Sequence, residues 1–181
     1  MKKLNIYALI MTILFVSCSK DDDPVAVNEE EVITTLTVTL VPSDASANII
    51  LKTQDLDGDG PTAPSVTVSG DLKASLTYTG SMKFENETET PAENITLEII
   101  EEADEHQVFY TVGSGLNVTV ASSKNDSKGL PLGTEFNLTT GAASTGKLTF
   151  TLRHQPKKPN TGLADAGGST DIEATFDLVI K

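Results

Sequence analysis

Leu72-Lys73-Ala74-Ser75-Leu76-Thr77-Tyr78-Thr79-Gly80-Ser81-Met82-Lys83-Phe84 alternates along its whole length. Leu72, Ala74, Leu76, Tyr78, Gly80, Met82 and Phe84 share one parity, while lysines, serines and threonines fill the other. Successive side chains of a strand point to opposite faces, so a period of two marks a half-buried strand, here one long strand or two split near Gly80. The same pattern extends outward in both directions. Leu36, Val38 and Leu40 alternate with Thr35, Thr37 and Thr39, and Leu116, Val118 and Val120 form another set. Phe136 with Leu138, then Leu148, Phe150 and Leu152, and finally Ile172, Ala174, Phe176, Leu178 and Ile180 complete it, the last running to the C-terminus, where it should be tied into a sheet.

Shorter strands are expected at 48–53, 66–68 and 108–112. Turn chemistry separates the runs: Gly58 and Gly60 with Pro61, Gly70-Asp71, Asn125-Asp126, 141–146 and 156–168. About eight to ten short strands in a domain of this size predict an all-β fold, an antiparallel two-sheet β-sandwich of immunoglobulin-like kind. One segment allows two readings. Thr90-Pro91-Ala92-Glu93 has the form of a helix start, and Ile95, Ile99 and Ala103 recur every four residues, which favours a short helix within 91–105. Ile95, Leu97 and Ile99 also alternate, which favours a strand.

The N-terminus reads as an address. Lys2 and Lys3 precede an apolar run from Leu4 to Val16, and Ser17-Cys18 follows like the end of a lipoprotein signal peptide. The run is too short for a membrane span. Residues 1–17 are therefore expected to be removed, with Cys18 as the lipid-bearing first residue, 18–31 as an acidic flexible tether and 32–181 as one sandwich domain. Cys18 is the sole cysteine, so the domain has no disulfide, thiol nucleophile or cysteine zinc site.

The formal charge of −13 would become −15 on processing, because Lys2 and Lys3 leave without any acidic residue. Such a surface repels phosphates and attracts cations or basic partners, which excludes nucleic acid as an expected ligand. With no tryptophan, and only Tyr78 and Tyr110 as tyrosines beyond the signal, aromatic platforms for sugars are scarce.

Asp55-Leu56-Asp57-Gly58-Asp59-Gly60 places three carboxylates at alternate positions before a bend, as in the first half of a calcium loop. Pro61 would offer its carbonyl at the seventh position, but Val66 stands at the twelfth, where the complete motif needs a glutamate. Asp55, Asp57 and Asp59 thus form either a calcium site completed from elsewhere or a solvated turn. The two histidines offer a second possibility. His106 lies one helical turn beyond Glu102, and His154 continues the inward parity of Leu148, Phe150 and Leu152, so Glu102, His106 and His154 could bind a transition metal if the fold brings them together. Otherwise they are an acidic helix end and a strand-end histidine. The sequence shows no serine elbow, phosphate loop, nucleotide fingerprint or zincin helix, so no enzyme is expected and no cofactor is required, the calcium considered above being optional.

The run Ser19-Lys20-Asp21-Asp22-Asp23 resembles the acidic export signal of Bacteroidota surface lipoproteins, and that resemblance implies display on the cell exterior. An ordinary periplasmic spacer is the other reading. The segments 55–60, 91–96, 101–110, 137–141, 148–160 and 163–180 together resemble small flavobacterial lipoproteins labelled "type 1 periplasmic binding fold superfamily protein". That family has no established activity and transfers no catalytic residues. The resemblance implies a lipid-anchored protein of the outer membrane beside a TonB-dependent transporter, which the acidic domain would serve as a ligand-capture or accessory subunit; the charge and the Asp55, Asp57 and Asp59 cluster make metal ions or metal chelates the best-matched cargo. The alternative is a structural or adhesive surface module with a calcium-rigidified loop.

Overall fold

The computed structural model describes residues 31–58 and 60–181. The signal-like segment, Cys18, the tether up to residue 30, and Asp59 lie outside the described residues. Among the described residues, no helix is long and apolar enough to cross a membrane.

The chain forms β1 (Thr35–Pro42), β2 (Ile49–Gln54), β3 (Ser65–Val68), β4 (Thr77–Glu85), α1 (Thr96–Glu101), β5 (His106–Val112), β6 (Val118–Ser122), β7 (Glu135–Thr140), β8 (Ser144–His154), α2 (Leu163–Ala166) and β9 (Ser169–Ile180). Among the described residues, one sheet has six strands in the order β3-β2-β1-β4-β7-β6, and the other has three in the order β5-β8-β9. Every pairing between these strands is antiparallel. The chain passes from one sheet to the other after β4, β5 and β7, so the fold is a sandwich closed by non-local contacts.

Alternation in the sequence becomes alternation in burial. Leu36, Val38 and Leu40 of β1, Tyr78, Met82 and Phe84 of β4, and Phe136 and Leu138 of β7 face Leu148, Phe150 and Leu152 of β8 and Phe176, Leu178 and Ile180 of β9 in one apolar core. The threonines and lysines of the opposite parity face outward, where cross-strand pairs such as Thr77–Thr139 and Thr149–Thr175 join hydroxyls at 3.2 and 2.7 Å. β4 runs unbroken through Gly80, directly opposite Phe136, whose ring lies over the glycine: a Cβ there would come within 2.2 Å of it. The glycine makes room for the ring.

Two details differ from the alternation pattern. Leu72 and Ala74 are not a continuation of β4; Ser75 turns the chain with φ of 55°, and the segment 72–74 instead lies along the outer side of β9. There Leu72 N–H donates to Val179 O at 2.8 Å and Ala74 N–H to Lys181 O at 2.7 Å, which ties in the C-terminal strand. The helix is present but starts later than Thr90-Pro91 implies. Asn86 and Glu93 exchange backbone hydrogen bonds of 3.1 and 3.0 Å, closing a loop and using groups that a helix beginning at Pro91 would need. From Thr96 the four-residue spacing holds: Ile95 and Ile99 are buried, whereas Leu97, which only a strand would have turned inward, is exposed.

Candidate metal centre

His106 opens β5 and His154 closes β8, and the antiparallel register sets their Cα atoms opposite each other. Both continue the inward parity of their strands, so both imidazoles enter the interior, 0% and 2% exposed, and stack with centroids 4.6 Å apart and planes inclined by 21°. Two carboxylates join them. Asp171 sits at a register shift: Leu152 pairs with Ile172 and Arg153 with Thr170, so Asp171 is the extra residue of a β-bulge. Strict alternation would turn it away from the Ile172 face; the bulge re-aims it inward, and its side chain is fully buried. Close approach of the strand ends depends on Gly168, at φ of +73°, where a Cβ would lie 2.2 Å from the His154 carbonyl oxygen.

The fourth member comes from outside this sheet. Glu31 precedes β1, and its side chain is only 6% exposed although the sequence assigns it to the tether. Its Oε1 lies 3.0 Å from His106 Nε2 and its Oε2 lies 3.9 Å from His154 Nδ1. Asp171 Oδ2 is 4.0 Å from His106 Nε2, and Oδ1 is 3.9 Å from His154 Nδ1. One donor atom from each of the four residues can be chosen so that all lie within 4.8 Å of one another.

The histidine tautomer follows from the outer partner. His106 Nδ1 sits 3.2 Å from the backbone carbonyl of Glu102, at the end of α1. A carbonyl only accepts, so Nδ1 carries a proton there and Nε2 is the nitrogen that faces the carboxylates. The 3.0 Å approach of that nitrogen to Glu31 lacks the alignment of a hydrogen bond. Both ring nitrogens of His154 and Oε2 of Glu31 are likewise buried without hydrogen-bond partners. Polar atoms left this way in an interior cost about 1–3 kcal/mol each unless something else satisfies them.

Chemically this is an N2O2 donor set, suited to borderline first-row divalent ions rather than to calcium, which prefers oxygen alone. Tetrahedral zinc with bonds of about 2.0–2.1 Å separates its ligands by about 3.3 Å, and the nitrogen–oxygen separations of 3.0–4.0 Å bracket that spacing. Negative charge also collects nearby: partial burial, then the charges of Glu31, Glu102 and Glu93, hold the Glu98 carboxyl above its usual range.

The structure therefore brings His106 and His154 together, as their strand positions allow. Glu102 contributes its main-chain carbonyl to His106 while its side chain is exposed; the carboxylates that meet the imidazoles are Glu31 and Asp171. Sequence reasoning missed both. Asp171 left a trace, a carboxylate interrupting a strand just before its apolar parity begins, but Glu31 is the last acid of the run Glu29-Glu30-Glu31 and looks like its neighbours.

Of the acidic loop, Asp55 and Asp57 line a cleft of about 630 Å³ that also borders Ile33, Leu56 and Glu173. The Thr62 N–H, 3.2 Å from Asp57 Oδ2, holds that carboxylate below its usual range. The Asp57 carbonyl accepts from Gly60 N–H at 2.9 Å, closing the bend. Asp59 is outside the described residues. Compared with known proteins, the chain matches no family model, no curated protein and no solved structure.

Proposed function

We propose that the chain is a non-enzymatic, surface-exposed outer-membrane lipoprotein, anchored through Cys18, that serves a TonB-dependent transporter as a ligand-capture or accessory subunit. The observation that carries this reading is the open cleft lined by Asp55, Asp57 and Glu173 over the apolar Ile33 and Leu56. Low-dielectric walls focus the field of the carboxylates, so such a cleft concentrates cations, metal chelates or basic groups. The strongly acidic composition extends that preference over the whole surface. The side chains of the ionisable cluster around His106, whose Asp171 also borders this cleft, are only 0–6% exposed. Extraction of the intact lipoprotein in gentle detergent, followed by affinity capture, is expected to bring down a barrel protein in near-equal amount. A lipoprotein recovered alone contradicts the reading.

The second reading, a structural or adhesive module with calcium bound at Asp55, Asp57 and Asp59, is favoured by β3. This short strand forms one edge of the six-stranded sheet and exposes nearly half of Val66, offering backbone groups to a partner strand.

A further inference from the structure

We propose that Glu31, His106, His154 and Asp171 bind one first-row divalent cation, with zinc the best match, as a resident ion that clamps the chain ahead of β1 onto the three-stranded sheet. This inference stands independently of the transporter reading.

The donors come from four separate segments. His106, His154 and Asp171 belong to adjacent strands of one sheet, while Glu31 leads into β1 of the other, so a shared ion cross-links the two layers. Four protein donors complete a tetrahedral shell, and side-chain exposures of 0–6% leave no position open to a substrate; both are marks of a structural site. The alternative is a metal-free network of charged imidazoles and carboxylates. It fits the geometry poorly, because two imidazolium rings stacked at 4.6 Å repel each other. Their protons would also need aligned acceptors, yet His106 Nε2 and both His154 nitrogens lack them. A cation instead takes deprotonated nitrogens, and one donor atom from each of the four residues lies within 4.8 Å of the others. Three of the four ligands are placed by the sheet and its neighbours: His106 by the Glu102 carbonyl, His154 by its strand-end register, Asp171 by its bulge. A clamp of this kind supplies the cross-link that a thiol-free domain cannot obtain from disulfides.

The whole chain, loaded with zinc and dialysed against metal-free buffer, is expected to retain about one zinc per molecule by plasma mass spectrometry. Free zinc at about a hundred times its dissociation constant should raise the Tm of the stripped protein by roughly 5–10 °C. Glu31→Gln keeps the side-chain volume and lies ahead of the first strand, so it should fold. It is expected to weaken zinc binding at least tenfold and remove most of the shift, while the stripped protein melts near the wild-type value. Glu102→Ala removes only an exposed side chain and should bind zinc as the wild type does. The proposal is overturned if the wild type retains no zinc and shows no shift at millimolar zinc, if Glu31→Gln binds unchanged, or if Glu102→Ala is the variant that loses the ion. A zinc-free chain that still captures a barrel protein would leave the transporter reading intact.

Discussion

Phe136→Ala is expected to lower the unfolding free energy by about 3–5 kcal/mol, toward the upper end of what a buried phenylalanine yields. The ring is fully buried, with centroids 5.2 Å from Tyr110 and 5.7 Å from Phe150, so its loss removes apolar burial and two aromatic contacts together. The resulting hole opens beside Gly80, which has no side chain to relax into it. Gly80→Ala is destabilising for the converse reason, since its methyl would overlap the Phe136 ring. In the double variant that methyl faces vacated space, so the two costs should sum to more than the measured loss. Denaturant unfolding of the wild type, both single variants and the double variant checks this; simple additivity would show that the ring does not rest on Gly80.

Asp126→Ala should cost about 3 kcal/mol, because it leaves buried partners of a carboxylate uncompensated. The Asp126 side chain is 0% exposed, its Oδ2 is 3.1 Å from Lys158 Nζ, and its Oδ1 accepts the N–H groups of Lys128 and Leu130 at 2.9 and 2.8 Å. The ammonium itself is almost buried and also donates to Ala103 O at 2.8 Å, which joins three loops. Asp126→Asn keeps an oxygen for the two N–H groups and loses only the charge, so it should cost less than the alanine. Burial pushes the Asp126 carboxyl up, but the Leu130 and Lys128 N–H groups and the Lys158 ammonium outweigh it and hold it below its usual range. A depressed carboxyl contributes stability that is present above the unfolded value of about 3.9 and is lost as pH falls through the folded value. Both variants should therefore lose less stability than the wild type on acidification in that window. Urea midpoints measured from pH 6 downward test it, and parallel curves for all three proteins would contradict the assignment.

The strand set was legible because burial on one face of a sheet imposes a period of two, and this chain obeys it from Leu36 to Ile180 with few breaks. The helix was legible through Ile95 and Ile99, but its start was not, because Thr90-Pro91 looks like a cap and only the distant pairing of Asn86 with Glu93 rules it out. The same limit governs the site. Parity alone turns His106 and His154 inward, yet their meeting depends on the register of β5 against β8, a non-local fact that no spacing encodes. Asp171 faces inward by breaking parity at a bulge, and Glu31 is an acid among acids. Periodic burial is written locally, whereas the convergence of polar groups is written in the pairing.

X-ray absorption at the zinc edge of the loaded chain reports the donors directly. The account predicts two nitrogen and two oxygen neighbours at about 2.0–2.1 Å, with outer-shell scattering from two imidazole rings. A shell containing sulfur, or fewer than two imidazoles, would contradict it.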